Sequence, residues 1–253
     1  MRIHWSVEGS GPPLLLIHGL GYDGDGWGPV LPLLQERFTV LRFDNRGVGR
    51  SDAPRGPYTV RLLTEDARGV LREAGIPRAH VLGISLGGAV AQELAAVTPE
   101  LVDRLVLAAT TPGGFGSHGP PAPLLRLLAQ AATLDRSALI RRLVENALGP
   151  SAPPRIVDEI LAYRRVAPPR LGPWLSQAAA GVWFGFTGRS GPIAAPTLVV
   201  NGGADRVVDP RNGDRLAAGI PGAKHIVFAD AGHLLPWEEP ERFAEVVADF
   251  LTA

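Results

Sequence analysis

The sequence predicts an α/β protein whose central sheet is mostly parallel. Short apolar runs of strand length alternate with longer stretches of helical spacing from one end of the chain to the other. The 253 residues suit one domain with an insertion, because a single hydrophobic core stops growing at about 250 to 300 residues. Hydrophobic residues make up 45% of the chain and charged residues 20%, so the chain can bury such a core.

Seven short runs have the length and composition of β-strands. Most of them are continuously apolar, which is typical of parallel strands that are buried on both faces. The predicted strands are 3–7, 14–18, 39–44, 79–84, 105–108, 197–201 and 224–228.

Helical patterns separate most of these strands. Apolar residues recur at three- and four-residue spacing, Gly75 ends the second of the predicted helices, and Pro236 begins the last one. The predicted helices of this kind are 27–37, 58–74, 86–98 and 236–251.

The alternation of strands and helices stops between residues 112 and 195. Clusters of Pro and Gly open and close this interval, which has helical patterns at 124–132, 138–148 and 155–163. Open α/β sheets place their binding sites beyond the carboxyl ends of strands, so a helical insertion there is well placed to cover a pocket. We expect a core domain of residues 1–111 and 196–253 and a helical cap of residues 112–195.

Composition excludes several classes of function. The 25 cationic and 25 anionic residues cancel, so the chain has no net charge with which to hold a nucleic acid or an acidic membrane. It has no cysteine, which removes disulfides, cysteine nucleophiles and thiolate metal sites together. Any nucleophile must then be an oxygen. We expect a small-molecule substrate and, without a signal-like or spanning apolar run, a cytoplasmic location.

The strongest local signal is Gly83-Ile84-Ser85-Leu86-Gly87, which joins a predicted strand to a predicted helix. A sharp turn in this context holds the serine in a strained conformation with its hydroxyl exposed, and the glycines let neighbouring backbones approach. A simple Gly/Ser turn could have the same five residues, but the flanking strand and helix favour a nucleophile. We therefore predict Ser85 as the nucleophile.

The segment His18-Gly19-Leu20-Gly21 follows an apolar strand, at the place where an acyl-transfer enzyme needs backbone donors. Attack by a serine produces an oxyanion that two preorganised N–H groups can stabilise, by about 3 kcal/mol each. We assign this role to the N–H groups of Leu20 and Leu86. His18 is expected to orient the loop by hydrogen bonding rather than to transfer a proton.

A serine nucleophile needs a histidine base, and the base needs a carboxylate that orients it. The last two predicted strands run into glycine-containing turns that hold Asp205 and His233. We predict Asp205 as the acid and His233 as the base, which gives the chain order serine, acid, histidine. Asp209 competes for the acid role, but its place at the start of the next helix favours a capping role.

Substrate choice is expected to depend on the cap. Nine arginines and four acidic residues lie between residues 112 and 192. Such a cationic cap would attract an anionic ester or lactone, whereas the alternative is that the arginines lie on solvated helix faces. The candidate pocket residues are His118, Trp174, Trp183 and Phe184, although the aromatic ones suit packing within the cap better than a specific clamp.

Five motifs, in this order, resemble the α/β-hydrolase superfamily over essentially the whole chain. They are His18 to Gly21, Asp44 to Ser51, Gly83 to Gly88, Gly202 to Asp205 and Gly232-His233. The resemblance is closest to capped bacterial serine hydrolases, including oxoadipate enol-lactonases and carboxylesterases. It implies a hydrolase without cofactor or metal, in which Ser85 is acylated and a water activated by His233 releases the acid. It also implies that Asp44 and Arg46 belong to a structural turn near the site.

The predicted function is therefore hydrolysis of a carboxylic ester or lactone through an acyl-enzyme. Haloalkane dehalogenases and epoxide hydrolases of this fold carry Asp at the elbow, so Ser85 excludes those reactions. Carbon-carbon bond hydrolases keep the serine, and they remain an alternative. A second alternative is a ligand-binding, receptor-like protein on the same fold, against which the complete set of Ser85, Asp205 and His233 favours catalysis.

Overall fold

The computed structural model describes the main chain of residues 1–253 and every side chain except those of residues 132 and 136. Seven strands form one sheet at the centre of the protein. They are β1 (Trp5–Gly9), β2 (Pro13–Ile17), β3 (Thr39–Phe43), β4 (Ala79–Ile84), β5 (Val102–Ala108), β6 (Thr197–Gly202) and β7 (Lys224–Phe228). Their spatial order is β1-β3-β2-β4-β5-β6-β7.

The sheet is parallel except at one edge, where β1 pairs antiparallel with β3. The prediction of a mostly parallel sheet is confirmed. Successive side chains of a strand alternate between the faces, so Leu15 and Ile17 join one core cluster while Leu14 and Leu16 join the other. Both faces of the central strands are therefore buried, which explains why those strands are continuously apolar.

The chain forms ten α-helices. They are α1 (Val30–Gln35), α2 (Val60–Glu73), α3 (Leu86–Val97), α4 (Ala122–Gln130), α5 (Arg136–Ala147), α6 (Pro154–Val166), α7 (Leu171–Thr187), α8 (Arg211–Ala218), α9 (Leu235–Glu238) and α10 (Pro240–Thr252). Helices α2, α3 and α8 contribute to one core cluster, and α1 and α10 contribute to the other.

The closing segment differs from the single helix predicted at 236–251. It is divided into α9 and α10 at Glu239, whose φ of −135° and ψ of 62° are not helical. The next residue is Pro240, and the ring of a proline disfavours the helical conformation of the residue before it.

Helix α7 is an element that the sequence analysis missed. Its Gly172, Pro173, Gly181 and Gly185 indicate breaks in a helix by local propensity. The helix forms because it packs against α2 and α3, where Phe184 is buried in the core. Tertiary packing therefore overrides the weak intrinsic preference.

Helices α4 to α7 lie between β5 and β6 in the chain, within the proposed cap of residues 112–195. A third cluster of buried apolar side chains joins α5 and α6 to two loops of the sheet. From the sheet loops it includes Tyr22 and Leu234, and from the helices Val144, Ala147, Ile156 and Ile160. Nowhere in the described chain is there a helix with both the length and the apolar character that a membrane span requires.

Candidate active site

Ser85 lies in the sharp turn between β4 and α3, with φ 56° and ψ −121°. This conformation costs a residue with a side chain about 1 to 3 kcal/mol, so the surroundings must hold it. The Ser85 N–H donates to the Ala108 carbonyl at 3.0 Å, and the Ser85 carbonyl accepts from the Gly88 N–H at 2.9 Å. The same carbonyl accepts from Thr110 Oγ1 at 2.8 Å. The strain is therefore maintained by the main chain on both sides of the turn.

Two glycines let this turn lie against the loop that follows β2. A Cβ atom on Gly87 would lie 2.0 Å from the carbonyl oxygen of Ile17, and one on Gly19 would lie 2.9 Å from Cβ of Ser85. Neither position has room for a side chain. The 18–21 loop and the Ser85 turn are thus in direct contact.

The N–H groups of Leu20 and Leu86, which lie at this contact, have no hydrogen-bond partner within the described part of the chain. Leu86 begins α3, and the first N–H groups of a helix have no intrahelical acceptor. The neighbouring Gly19 N–H, in contrast, donates to Nδ1 of His18 at 2.7 Å. The Leu20 and Leu86 groups are therefore free to serve as donors to a bound ligand.

His233 and Asp205 form the hydrogen bond that a base and its orienting acid require. His233 Nδ1 lies 2.8 Å from Oδ2 of Asp205, and both side chains are buried. An ionised carboxylate only accepts, so the proton of the imidazole is on Nδ1 and the Nε2 lone pair is available as a base. The other oxygen of Asp205 accepts from the N–H groups of Val207 at 2.7 Å and Val208 at 3.0 Å.

The carboxylate of Asp209, the competing acid, is hydrogen-bonded to Arg211 at the start of α8. Its Oδ1 accepts from the Arg211 N–H at 3.0 Å, and its Oδ2 pairs with Arg211 Nη2 at 2.6 Å. The hydrogen bond from the Arg211 side chain lowers the pKa of Asp209. The structure brings Asp205, and not Asp209, to His233.

His18 is a buried neutral imidazole. Burial lowers its pKa to about 3, and its Nδ1 already accepts from the Gly19 N–H. The ring stacks on Tyr22 at a centroid distance of 4.6 Å and lies 4.9 Å from the ring of Trp27. These contacts suit an orienting role, because the nitrogen that would take a proton is already used.

Glu238, which was not predicted from the sequence, holds the turn that carries His233. Its carboxylate accepts from the N–H groups of Gly232 at 3.0 Å, Leu234 at 3.2 Å and Gly149 of the proposed cap at 2.7 Å. Burial raises its pKa. The sequence places two adjacent acids, Glu238 and Glu239, after the apolar stretch that follows His233, and no local pattern distinguishes the one that is buried.

The candidate pocket residues occupy different environments. His118 is held by α8, where its N–H donates to Asn212 Oδ1 at 2.8 Å and its Nε2 accepts from Arg215 Nε at 3.0 Å. Trp174 packs on the 18–21 loop, where its Cδ1 atom lies 2.7 Å from the place that a Cβ atom would occupy if Gly21 had a side chain. The remaining two are Phe184, which is buried in the core, and Trp183, which is 65% exposed.

The turn formed by residues 44–51 is built from buried charges. Asp44 accepts from the N–H groups of Gly24 at 2.8 Å and Arg50 at 2.9 Å. Arg46 pairs with Asp66 through two hydrogen bonds, at 2.5 and 2.6 Å. Every one of these groups is used in holding the turn, and the described side chains include no group of three or more His, Asp or Glu arranged to bind a metal.

Several of the nine arginines of the proposed cap have structural partners. Arg141 pairs with Asp158 at 2.9 Å, and Arg164 and Arg170 donate to main-chain carbonyls outside the cap. The side chain of Arg136 lies outside the described residues. Two others, Arg126 and Arg142, line a groove of about 320 Å³ between α4 and α5.

Comparison with known proteins agrees with this architecture. The family model described as the alpha/beta hydrolase fold matches residues 12–240. A 2-hydroxy-6-oxononadienedioate/2-hydroxy-6-oxononatrienedioate hydrolase from Cupriavidus pinatubonensis is 32% identical, over 99% of this chain and 90% of its own.

Two solved structures share the fold over nearly the whole chain. A hydrolase from Pseudomonas aeruginosa is 33% identical with a TM-score of 0.80, over 99% of this chain and 94% of its own. An enol-lactonase from Burkholderia xenovorans is 29% identical with a TM-score of 0.81, over 99% and 96% of the two chains. The resemblance noted from the motifs is confirmed, and the chain belongs to the α/β-hydrolase family.

Proposed function

We propose that the protein is a serine hydrolase that cleaves a carboxylic ester or lactone through an acyl-enzyme. The observation that carries the proposal is the 2.8 Å hydrogen bond between His233 and Asp205, together with the strained turn at Ser85. The three residues follow β4, β6 and β7, whose carboxyl ends lie at one edge of the parallel sheet. A nucleophile, an oriented base and its acid are the parts that acyl transfer needs.

In the first step, Nε2 of His233 takes the proton of Ser85 Oγ as this oxygen attacks the substrate carbonyl carbon. The carbonyl oxygen becomes an oxyanion, which accepts from the N–H groups of Leu20 and Leu86. The tetrahedral intermediate collapses, and His233 gives the proton to the departing alkoxide. In a lactone the resulting alcohol stays attached to the acyl group.

In the second step, a water molecule attacks the acyl carbon of the ester formed on Ser85. His233 accepts one water proton, and the new tetrahedral intermediate expels Ser85 Oγ, which takes that proton back. The products are the free acid and the original enzyme. Asp205 stays ionised throughout and stabilises the imidazolium.

Carbon-carbon bond hydrolysis is the second candidate, and the identity to the Cupriavidus pinatubonensis hydrolase favours it. The name of that relative's substrate denotes a dicarboxylate. An excess of arginine over acidic residues in the proposed cap is compatible with an anionic substrate in either reaction. Both reactions use Ser85, and they differ in the bond that is cleaved. Ester or lactone hydrolysis breaks a carbon-oxygen bond, and the second reaction breaks a carbon-carbon bond.

A substrate panel separates the candidates. Purified protein is tested with a neutral activated ester, with lactones that carry a carboxylate, and with a 2-hydroxy-6-oxodienoate, and the Ser85→Ala variant sets the background. Turnover of esters or lactones that Ser85→Ala abolishes supports the proposal. Turnover of the oxodienoate alone assigns the second reaction, and binding without any turnover supports the receptor-like alternative.

A further inference from the structure

Gln177 is a polar residue that the mechanism does not use, although it is completely buried. It lies in the middle of α7, next to the run Ala178 to Ala180. Its Oε1 accepts from the Gly21 N–H at 3.0 Å, and its Nε2 donates to the Arg46 carbonyl at 3.0 Å. One partner is a donor and the other an acceptor, so the amide has a single orientation that satisfies both.

Gly21 is held by the proposed cap from a second direction. Its carbonyl accepts from Nη1 of Arg164 at 2.5 Å, and the guanidinium of Arg164 lies 3.6 Å above the ring of Tyr22. Gly21 itself has φ of +69°, a conformation that glycine adopts easily, and Trp174 packs where a side chain would be. The N–H and the carbonyl of Gly21 are thus both tied to helices of the cap.

The residue before Gly21 is Leu20, whose N–H is unpartnered within the described part of the chain. On the other side of Leu20 the loop is tied to the core, because the His18 carbonyl accepts from Asn45 Nδ2 at 3.1 Å and the Gly19 N–H donates to the His18 ring. The Leu20 N–H thus lies between Gly19, which the core holds, and Gly21, which Gln177 holds. The Gly19 carbonyl, which belongs to the same peptide unit as the Leu20 N–H, accepts from the Tyr22 N–H at 3.3 Å.

We propose that Gln177 is a positioning residue for the oxyanion hole, which it aligns by holding Gly21 and so the preceding Leu20. The inference rests on the proposed function, since it requires an oxyanion at Ser85. It assigns the cap a part in stabilising the transition state in addition to covering the substrate. A donor displaced by a fraction of an ångström loses strength toward the oxyanion while the ground-state substrate is still bound.

The test compares Gln177→Leu with Gln177→Glu, using an ester substrate and a trifluoromethyl ketone that forms an oxyanion with an active-site serine. Leucine removes both hydrogen bonds, and we expect kcat to fall by about 10- to 100-fold with little change in KM. Affinity for the ketone should fall by a similar factor. Glutamate keeps an acceptor for the Gly21 N–H, so Gln177→Glu should retain more activity than Gln177→Leu.

Thermal stability distinguishes a positioning role from a purely structural one, because in a structural role activity would follow stability. A buried carboxylate facing the Arg46 carbonyl is costly, so Gln177→Glu should unfold at a lower temperature than Gln177→Leu. Activity and stability should therefore rank the two variants in opposite order. Arg170→Met removes a different hydrogen bond from the start of α7 to the core, to the Ser51 carbonyl, and should leave kcat within about twofold of wild type.

Each outcome bears on one proposal. If a folded Gln177→Leu protein keeps its kcat and its ketone affinity, or if Gln177→Glu is the slower variant, the positioning role is wrong while the serine hydrolase assignment stands. Should Gln177→Leu fail to fold, Gln177→Met, which also removes both hydrogen bonds but keeps the length of the side chain, takes its place. A kcat and a ketone affinity about 10- to 100-fold lower than in Arg170→Met support the positioning role, and values within about twofold of Arg170→Met overturn it. A wild-type protein without serine-dependent turnover overturns the proposed function instead.

Discussion

The hydrogen bonds of two histidines fix different tautomers, because their surroundings differ. His233 donates through Nδ1 to a carboxylate, which leaves its Nε2 as a base. His18 accepts through Nδ1 from a main-chain N–H and is buried among aromatic rings, so its pKa is lowered to about 3. Two residues of one type therefore have different chemistry within one site.

Replacement of the acid tests the assignment of His233. We predict that Asp205→Asn lowers kcat by about 10⁴-fold, because an amide favours the wrong tautomer of the imidazole. Asp209→Asn is the matched control, since Asp209 is bound to Arg211, and it should change kcat by less than about threefold. Steady-state kinetics of the two variants measure this difference, and the reverse ranking would move the acid to Asp209.

The buried His18 makes stability depend on pH. The unfolded chain binds a proton at this histidine below about pH 6.5, whereas the folded protein stays neutral there down to about pH 3. The unfolded state thus binds more protons in this window, and stability falls as the pH decreases. Between about pH 7 and pH 4, the free energy of unfolding of His18→Gln, measured in urea, should decrease by about 2 to 3 kcal/mol less than that of wild type. Parallel pH curves for the two proteins would contradict a neutral His18.

At the level of elements, local patterns predicted the strands well and the helices of the proposed cap less well. Strands β4 and β7 begin and end at the predicted residues. Every residue of β4 is buried, as expected of an apolar run that is bounded by turns. Helix α7 was missed because its glycines and proline conceal a packing surface that only the folded protein reveals. An element whose stability comes from tertiary contacts has a weak local signal.

The turn that carries His233 depends on Glu238. Replacing this carboxylate by the amide in Glu238→Gln puts donor hydrogens opposite main-chain donors, so at least one of the N–H groups of Gly149, Gly232 or Leu234 loses its acceptor. We expect a loss of about 1 to 3 kcal/mol in the free energy of unfolding, measured in urea.

Glu239→Gln is the control for this change. Glu239 forms a partly exposed ion pair with Arg242, and such pairs contribute about 0 to 1 kcal/mol. An equal loss in both variants would mean that the three hydrogen bonds of Glu238 add nothing to the stability of the turn.

At the level of the whole molecule, residues that come together in the site lie far apart in the chain. Ser85, Asp205 and His233 could be predicted because each lies in a short motif at the end of a strand. Gln177 could not, because its partner Gly21 is 156 positions away and no local pattern records that contact. Sequence motifs therefore predict the candidate reacting groups, and the folded structure is needed for the residues that hold them.

The charge of the proposed cap leads to a prediction about substrate capture. If its excess of arginine steers an anionic substrate, kcat/KM for a carboxylate-bearing lactone should fall as salt is raised, because exposed charges are screened over about 8 Å at physiological ionic strength. A neutral ester of similar size is the control and should change little. Replacing Arg126 and Arg142, which line the groove between α4 and α5, by Gln should reduce the difference between the two substrates. Equal salt dependence for both would assign these arginines to a solvated surface.

The proposed reaction requires a covalent bond between Ser85 and the substrate, and a mass measurement tests for that bond most directly. After treatment with a fluorophosphonate, the intact protein should gain the mass of one adduct, and peptide mapping should place that adduct on Ser85. The folded Ser85→Ala variant should stay unmodified and lose about 10⁴-fold or more of the ester turnover. An adduct on another residue, or a folded Ser85→Ala protein with near-normal turnover, would contradict the assignment of the nucleophile.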